Sequence, residues 1–273
     1  MTIKKMAKNN NHKRPFFYKR LLRWLEWIAP LAAFLALWQL AANWVKLPPF
    51  IFPSLSDVWV RFIQVLLNGT LLFHSGVTLS EISMGLLIGS AVATLLGYRI
   101  ARSRRLERAL SPYLVASQAI PIVAIAPLLV IWLGPGMVSK VFICALIVFF
   151  PILVNTVVGV RAVPAALHDL MRSLHATRWQ ILWKLEIPAA LPVFLGGLRI
   201  GATLSVIGAV VGELVGADRG LGFLINVGRG QYDTALVFVA AFTLIALALA
   251  LYGIVAWIES RALVWQEWRV RDQ

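Results

Sequence analysis

The residue types that usually carry enzymatic or nucleotide chemistry are present in this chain, but not in the spacings that such chemistry needs. None of the eight lysines follows a glycine, so the chain has no phosphate-binding loop of the Walker type. The four histidines are scattered, and the sequence contains neither HExxH nor GxSxG. His168 and His175 are seven residues apart, about two helical turns, on an exposed segment, and this pattern does not favour a metal site. We therefore predict that the chain is not an enzyme and that it holds no metal and no cofactor.

Two acidic residues remain as candidates for chemistry within a membrane, where charged side chains are costly and usually functional. Glu81 and Glu213 each lie near the outer end of an apolar segment. Neither is deep enough in its segment to predict a proton relay. We interpret Glu81 as an ordinary residue of the outer membrane interface. For Glu213 we favour an interfacial or gate contact over structural pairing and over direct solute binding.

The elements that must position these residues are those of an integral membrane protein. Of the 273 residues, 60% are hydrophobic and only 14% are charged, which lies outside the usual composition of soluble domains. A transmembrane helix needs about 20 apolar residues to cross about 30 Å of hydrocarbon. Segments of that kind occur at 27–45, 76–98, 109–133, 141–160, 196–216 and 234–257. The prediction is an all-α polytopic membrane protein with about six transmembrane helices in one domain, residues 25–260.

The positive charges predict the orientation of these spans. The chain carries 26 Lys and Arg residues, and 21 of them fall in the segments 1–24, 99–108, 161–199 and 261–271. Because cytoplasmic loops collect Lys and Arg, both predicted tails, 1–24 and 261–273, are expected in the cytoplasm. The same distribution explains the net charge of +14 without nucleic acid. The predicted location is the cytoplasmic membrane.

A short helix is predicted on the outer side, after the first span. Three prolines between Leu47 and Pro53 interrupt the chain, and Ser54 and Asp57 then have the spacing of a capping box. Apolar residues fall on one face of the segment 54–67, so we expect a helix lying in the outer interface. A scaffold role is favoured over contact with a solute.

The third apolar segment carries Pro112, Pro121 and Pro127. A proline removes an amide donor and kinks a helix, and a membrane tolerates this only where neighbours or a watery cavity satisfy the freed carbonyls. This segment therefore belongs in the interior of the bundle. Simple bending for packing and a role in lining a pathway are equally compatible with the pattern.

An amphipathic segment separates the fourth and fifth spans on the basic side. Leu167, Leu170, Met171 and Leu174 follow the i, i+3, i+4, i+7 spacing of one helix face, and the opposite face is polar. Such a helix fits a groove on a partner protein. It also fits the surface of the inner leaflet, where nearby arginines would meet lipid phosphates, and the pattern alone leaves both interpretations open.

This segment resembles the cytoplasmic coupling loop of ABC importer permeases. The motif of that loop is Glu-Ala-Ala, then Gly four positions later, and further on a hydrophobic residue followed by Pro. Asp169, Leu170 and Met171 occupy the first three positions, His175 occupies the Gly position, and Ile187 with Pro188 closes the motif. The loss of the Gly and of both Ala residues departs from the family pattern at the end of the coupling helix.

Two further stretches are similar to the nitrate, sulfonate and taurine branch of that family, and together with LPPFIFPS at 47–54 they extend the resemblance over nearly the whole chain. One runs from Glu213 to Gly222. The other lies in the third span and comprises Gln118, Pro121, Ala124, Pro127, Leu128, Trp132 and Gly134.

The resemblance implies the fold of a type I ABC importer permease and a set of partners. These are a second permease copy in a homodimer, two cytoplasmic ATPase subunits, an extracytoplasmic solute-binding protein and membrane lipid. It places ATPase coupling in the loop 161–195, at Leu167, Asp169, Leu170, Met171, Leu174 and His175. It also implies a translocation path or gate that includes Gln118, Pro121, Pro127 and Glu213.

The sequence leaves the solute open. Permeases of this branch carry nitrate, sulfonates, taurine, the thiamine pyrimidine precursor or riboflavin. The stretch WLGPGMVSK at 132–140 is more similar to the vitamin-type permeases. We therefore expect a vitamin or vitamin precursor, such as riboflavin or the thiamine pyrimidine, with sulfonate, taurine or nitrate as alternatives. Outside this class, the alternative is a secondary carrier that needs no ATPase.

Overall fold

The computed structural model describes residues 16–45, 48–119 and 121–264, and the regular elements in these ranges are all helices. They are α1 (Phe16–Val45), α2 (Leu55–Leu67), α3 (Thr70–Arg102), α4 (Arg104–Gln118), α5 (Ile122–Leu133), α6 (Met137–Arg161), α7 (Ala165–Ser173), α8 (Arg178–Ile181), a π-helical segment (Leu182–Glu186), α9 (Ile187–Gly216), α10 (Leu221–Gly230) and α11 (Thr234–Ala262). Most of the two predicted tails, residues 1–15 and 265–273, lies outside these ranges.

The apolar helices confirm an all-α polytopic membrane protein. Within the described residues, four helical runs are long and apolar enough to cross a membrane: α3, α6, the continuous run from Arg178 to Gly216, and α11. The predicted first span, 27–45, lies within α1. The shorter apolar helix α5 holds part of the predicted third span.

The prediction of one continuous span at 109–133 is wrong, because this segment forms two helices. α4 ends at Gln118, and α5 begins after Pro121, whose backbone is extended at φ −69° and ψ 107°. A proline cannot donate the helical hydrogen bond and disfavours helical geometry in the residue before it. The chain therefore breaks at Pro121, whereas Pro112 and Pro127 are accommodated inside the two helices.

Most of the predicted coupling loop, 161–195, is helical in the structure. α7 occupies its first part, but the long helical run already begins at Arg178, so that residues 178–195 belong to this run. The run contains the π-helical segment immediately before Pro188. The ring of a proline clashes with the carbonyl group four residues earlier, here that of Lys184, and the wider π turn relieves this clash.

α6 is the central helix, and it packs closely against α3 on one side and α9 on the other. Small residues recur at every fourth position of α3, namely Gly85, Gly89, Ala93 and Gly97, and face α6. A Cβ atom on Gly89 would lie 2.7 Å from the carbonyl oxygen of Ala145. Such stripes let helix backbones approach closely, which is the main source of packing energy between helices in a membrane.

The short helix predicted at 54–67 is present as α2. Ser54 caps it, and the reciprocal hydrogen bonds of the capping box with Asp57 are both formed. Val58 and Val65 are buried in a cluster that includes residues of α11. Arg61 forms an ion pair with Asp233, which precedes α11, at a distance of 2.7 Å. These contacts support the predicted scaffold role.

The contact between α9 and α6 generates the first prediction. A Cβ atom on Gly208 would lie 2.8 Å from the Cα atom of Cys144. We expect Gly208→Ala to lower the free energy of unfolding by about 1–3 kcal/mol, the usual cost of overpacking. Thermal unfolding of the purified protein in detergent measures this change.

The matched control is Gly253→Ala in α11, where no atom lies within 4 Å of the added methyl group. It should leave the unfolding temperature unchanged or raise it slightly, because alanine favours a helix more than glycine does. Equal destabilisation by the two substitutions would contradict this account of the packing.

Candidate functional site

The apolar stripe predicted on α7 lies on the surface of the chain. Leu167, Leu170 and Leu174 are 41%, 55% and 67% exposed, and Met171 is half-buried. Asp169 is exposed and forms an ion pair with Arg172 on the polar face. The stripe is therefore an uncovered apolar surface on a short helix, which suits contact with another protein.

The end of α7 has a defined geometry in which His175 is the key residue. The N–H of Ala176 donates to the carbonyl of Met171, and the N–H of His175 donates to that of Arg172, both at 2.9 Å. This pattern is the Schellman motif, and His175 occupies its left-handed position with φ at 54°. Glycine is the usual residue there, because other residues pay a steric cost at positive φ.

The next helix begins almost at once. Thr177 caps α8, and its side chain and that of Gln180 form a second capping box. Only the turn from Leu174 to Thr177 separates the two helices. Because both ends of this turn are held by hydrogen bonds, the direction of α7 relative to the long run is fixed.

A buried carboxylate, Glu186, joins α7 to the rest of the molecule. His168 of α7 lies 3.1 Å from one oxygen of Glu186, and the hydroxyl of Tyr98 donates to the other at 2.9 Å. The guanidinium of Arg102 is 3.4 Å from Glu186 and also donates to the oxygen of Tyr98. Glu186 thus connects α7, the C-terminal end of α3 and the π-helical segment.

A second ion pair lies near the same end of the bundle. Arg161, the last residue of α6, donates two hydrogen bonds to the carboxylate of Glu107 in α4. These hydrogen bonds lower the pKa of the Glu107 carboxyl, so it stays ionised and the pair persists in mildly acidic solution. The pair fixes α4 against the end of α6.

Glu213 lies in a polar cluster near the opposite end of α3. The hydroxyl of Thr78 donates to one oxygen of Glu213 at 2.6 Å, and the N–H of Gly222 donates to the other at 2.5 Å. The N–H of Leu221 in turn donates to Thr78 at 2.8 Å. A carboxylate at the first turn of α10 is favoured by the free amides and by the helix dipole. Glu213 therefore holds the start of α10 against α3 and α9.

The chain before α10 is shaped to admit this carboxylate. Gly220 has φ at 106°, and a Cβ atom on it would lie 2.0 Å from Glu213. Its N–H donates to Nδ1 of His74 at 2.9 Å. Glycine is thus required by both the backbone conformation and the space, which explains the Gly-Leu-Gly sequence after Arg219.

The interpretation of Glu81 as an ordinary interface residue is wrong. Glu81 is 1% exposed, and one of its oxygens lies 3.6 Å from Nζ of Lys140, which is itself buried in α6. Glu81 also interacts electrostatically with Glu213. Sequence alone placed Lys140 just outside its span, whereas α6 begins at Met137 and includes it. Two carboxylates and one ammonium group therefore share a buried site between α3, α6 and α9.

The residues predicted for a path or gate do not form one cluster. Gln118 ends α4, and its side chain lies outside the described part of the structure. Pro121 and Pro127 are exposed on the surface of the chain, while Glu213 is buried in the cluster above. The coupling residues lie far from Glu213, because Thr78 and Tyr98 are separated by 20 residues of α3, about 30 Å of helix.

Sequence reasoning missed Glu186, Tyr98 and Lys140. One signal was available for Glu186, since it is an acidic residue directly before the apolar stretch IPAALP. Nothing local marks Tyr98 or Lys140, because their importance comes from partners that are distant in the sequence. Within the described residues, no group of three or more His, Cys, Asp or Glu is arranged to hold a metal ion.

An apolar helix bundle with an exposed amphipathic helix at one end is the architecture of a polytopic membrane protein that offers a surface to a partner. The comparison with protein families identifies which family of membrane proteins this is. The chain belongs to the family described as binding-protein-dependent transport system inner membrane component, whose model matches residues 85–264. It is a multi-pass permease of an ABC importer, and this family implies an ATPase and a substrate-binding protein as partners.

Named relatives and solved structures agree with this assignment. The chain is 45% identical over 252 residues to the riboflavin transport system permease protein RibX of Chloroflexus aurantiacus, covering 90% of this chain and 94% of that protein. It is 37% identical over 234 residues to the formylaminopyrimidine transport permease protein ThiX of Halalkalibacterium halodurans, covering 85% and 92%. An inward-facing structure of the MetNI methionine ABC transporter has a TM-score of 0.62 at 19% identity, covering 74% of this chain and 98% of that one. That likeness shows the fold.

The left-handed conformation of His175 generates the second prediction. His175→Gly should relieve a steric cost on the order of 1 kcal/mol and be tolerated or slightly stabilising. His175→Val should be worse than the natural histidine, because a β-branched side chain disfavours positive φ further. Thermal stability and solute uptake, measured on membranes with matched expression, decide the order. If Gly abolished uptake while Val did not, the imidazole itself would have a role.

Proposed function

We propose that this permease imports a small nitrogen heterocycle, a vitamin or vitamin precursor such as riboflavin or the thiamine pyrimidine, driven by ATPase subunits that dock on α7. The observation that carries the coupling role is the exposed stripe of Leu167, Leu170 and Leu174 on a helix that Glu186 holds from its other side. The solute class is supported by the similarity to RibX and ThiX, whose names specify riboflavin and formylaminopyrimidine.

The complete importer contains two cytoplasmic ATPase subunits, a second copy of this permease and an extracytoplasmic binding protein, and the two permease copies lie in the lipid membrane. Both termini and α7 lie on the cytoplasmic side. The support for this orientation is the distribution of Lys and Arg, of which 21 of 26 fall in the segments on that side. The ATPase subunits are cytoplasmic, so the stripe and its partner share one compartment.

The coupling step follows from how α7 is attached. Closure of the ATPase pair moves the groove in which the stripe is seated. Met171 belongs to the stripe, Asp169 pairs with Arg172 on the polar face, and the Schellman turn at His175 prevents α7 from swinging freely against α8. The contact between His168 and Glu186 passes the same movement to α3. Packed elements with fixed connections move as rigid bodies, which is how such transitions change access to a cavity.

The translocation path runs beside the break between α4 and α5. Pro121 ends the helical hydrogen bonding there, and Gln118 and Pro127 lie on either side of the break. At the other end, Glu213 acts on a gate by holding the start of α10. A change in that contact would release the turn before α10 from α3.

The third prediction tests the docking stripe. Leu170→Asp together with Leu174→Asp places two negative charges where an apolar groove should receive leucine. The protein should still insert into the membrane, because neither residue is buried in the chain, but the ATPase should no longer copurify and uptake should be lost. Copurification from detergent extracts, with the permease amount matched by immunoblot, gives the measurement.

Arg172→Asp is the matched control, since it also changes the net charge by two units and lies on the opposite, exposed face of α7. It should retain the ATPase. Loss of the ATPase in both variants would show a general charge effect, and retention in both would show that the stripe faces lipid or water.

The fourth prediction concerns the solute. Proteoliposomes that contain the permease, its ATPase and its solute-binding protein should accumulate riboflavin or a formylaminopyrimidine when ATP is supplied. The same vesicles should not accumulate taurine or nitrate. ATP-dependent uptake of taurine without riboflavin uptake would overturn the solute class but keep the coupling role, and uptake without ATP would indicate a secondary carrier.

A further inference from the structure

Two adjoining cavities lie at the Tyr98 end of α3, outside the stripe and outside the cluster at Glu213. The first has a volume of about 340 Å³ and runs between α3, α6 and α9. The second, of about 460 Å³, lies at its mouth. Tyr98 and Leu182 line both, so the two cavities adjoin at these side chains.

The first cavity has an apolar surface. Its lining includes Leu95, Leu182, Ile187, Leu191 and Phe194. Four polar residues also line it, but the hydroxyls of Thr94 and Thr156 donate to the carbonyls of Ser90 and Ile152 in their own helices. The hydroxyl of Tyr98 donates to the fourth, Glu186. Their polar atoms are thus occupied elsewhere. A heterocyclic solute would find few hydrogen-bond partners here, whereas a hydrocarbon chain needs none.

The mouth is basic. Arg102 and Arg178 line the second cavity together with Trp179. Arg178 is exposed and forms no ion pair with any residue in the described ranges. Of the acidic groups nearby, Glu186 is buried beneath Arg102, Tyr98 and His168, and Asp169 forms an ion pair with Arg172. The second cavity therefore presents two positively charged guanidinium groups, whereas the carboxylate of Glu186 is buried.

The position of the mouth matches the surface of the inner leaflet in the proposed orientation. Arg99 and Arg102 form the basic last turn of α3. Trp179 and Trp183 are 66% and 53% exposed, and their rings are in contact at 5.4 Å between centroids. Tryptophan is enriched where a membrane protein passes from hydrocarbon to headgroups, and that leaflet carries anionic lipids.

We propose that this space binds one anionic phospholipid, with the phosphate on Arg178 and Arg102 and an acyl chain in the apolar cavity. The apolar lining of the first cavity and the two arginines of the second fit this single ligand. A lipid placed here contacts both α3 and the first turns of the α8–α9 run. It therefore stabilises the junction at Glu186, which holds α7 against α3. This effect does not depend on which solute the importer carries.

The experiment uses the permease purified with its ATPase subunits in mild detergent and incubated with phosphatidylglycerol or phosphatidylcholine of equal chain length. Native mass spectrometry counts the retained lipid. The unchanged protein should retain one phosphatidylglycerol per permease in preference to phosphatidylcholine. Arg178→Gln should weaken that retention about fivefold, the effect of one basic residue at an anionic membrane surface, and Arg178→Lys should restore most of it.

Arg105→Gln is the control, because it removes the same charge from an exposed position at the same end of the bundle but does not line either cavity. It should leave retention unchanged. Leu191→Trp, which fills the apolar cavity, should abolish retention in a protein that still copurifies with its ATPase.

Three outcomes would overturn the proposal. The first is equal loss with Arg178→Gln and Arg105→Gln, which would mean a diffuse charge effect. The second is equal retention of phosphatidylcholine, which would mean non-selective annular lipid. The third is displacement of phosphatidylglycerol by the transported solute, which would make this space part of the translocation path. If Leu191→Trp does not assemble, the comparison among the Arg178 and Arg105 variants still decides the matter.

Discussion

The close contact of α6 with α3 and α9 is the constraint on which the rest of this molecule depends. Without a hydrophobic driving force between helices in lipid, association relies on how near the backbones can come. The glycines on α3 and α9 bring their helices within van der Waals contact of the backbone of α6 at Ala145 and Cys144. No space remains for independent rearrangement along these contacts, so the three helices form one rigid block.

A rigid block transmits movement only if its ends are attached to something, and both ends carry buried carboxylates. Glu186 joins α7 to α3 at one end, and Glu213 joins α10 to α3 at the other. Burying a carboxylate is costly unless every oxygen is satisfied, so these contacts are specific in geometry. Substitutions therefore act locally. Substitutions in the stripe on α7 change the docking of the ATPase, whereas a substitution at Gly208 changes the packing of the rigid block.

The sequence predicts the elements whose signals are local. The capping box at Ser54 and Asp57, the apolar spans other than 109–133 and the stripe on α7 all follow from spacing within a few residues, and the structure confirms them as helices. It does not predict the break at Pro121 as opposed to a kink, because Pro112 and Pro127 are tolerated inside helices. Nor does it predict the pairing of Glu81 with Lys140 or of Glu186 with Tyr98, since these partners lie far apart along the chain.

His175 shows how a departure from a family motif is absorbed. The motif has glycine where α7 ends, and the structure places histidine there in the conformation that glycine favours. The cost of that conformation is on the order of 1 kcal/mol, whereas the turn is held by two Schellman hydrogen bonds and by the following capping box, each contributing a similar amount. The geometry of the turn is therefore set by its hydrogen bonds and not by the residue at its left-handed position. The same turn can form with histidine because the helices on both sides of it are already fixed, α7 through His168 on Glu186 and α8 through its continuity with α9.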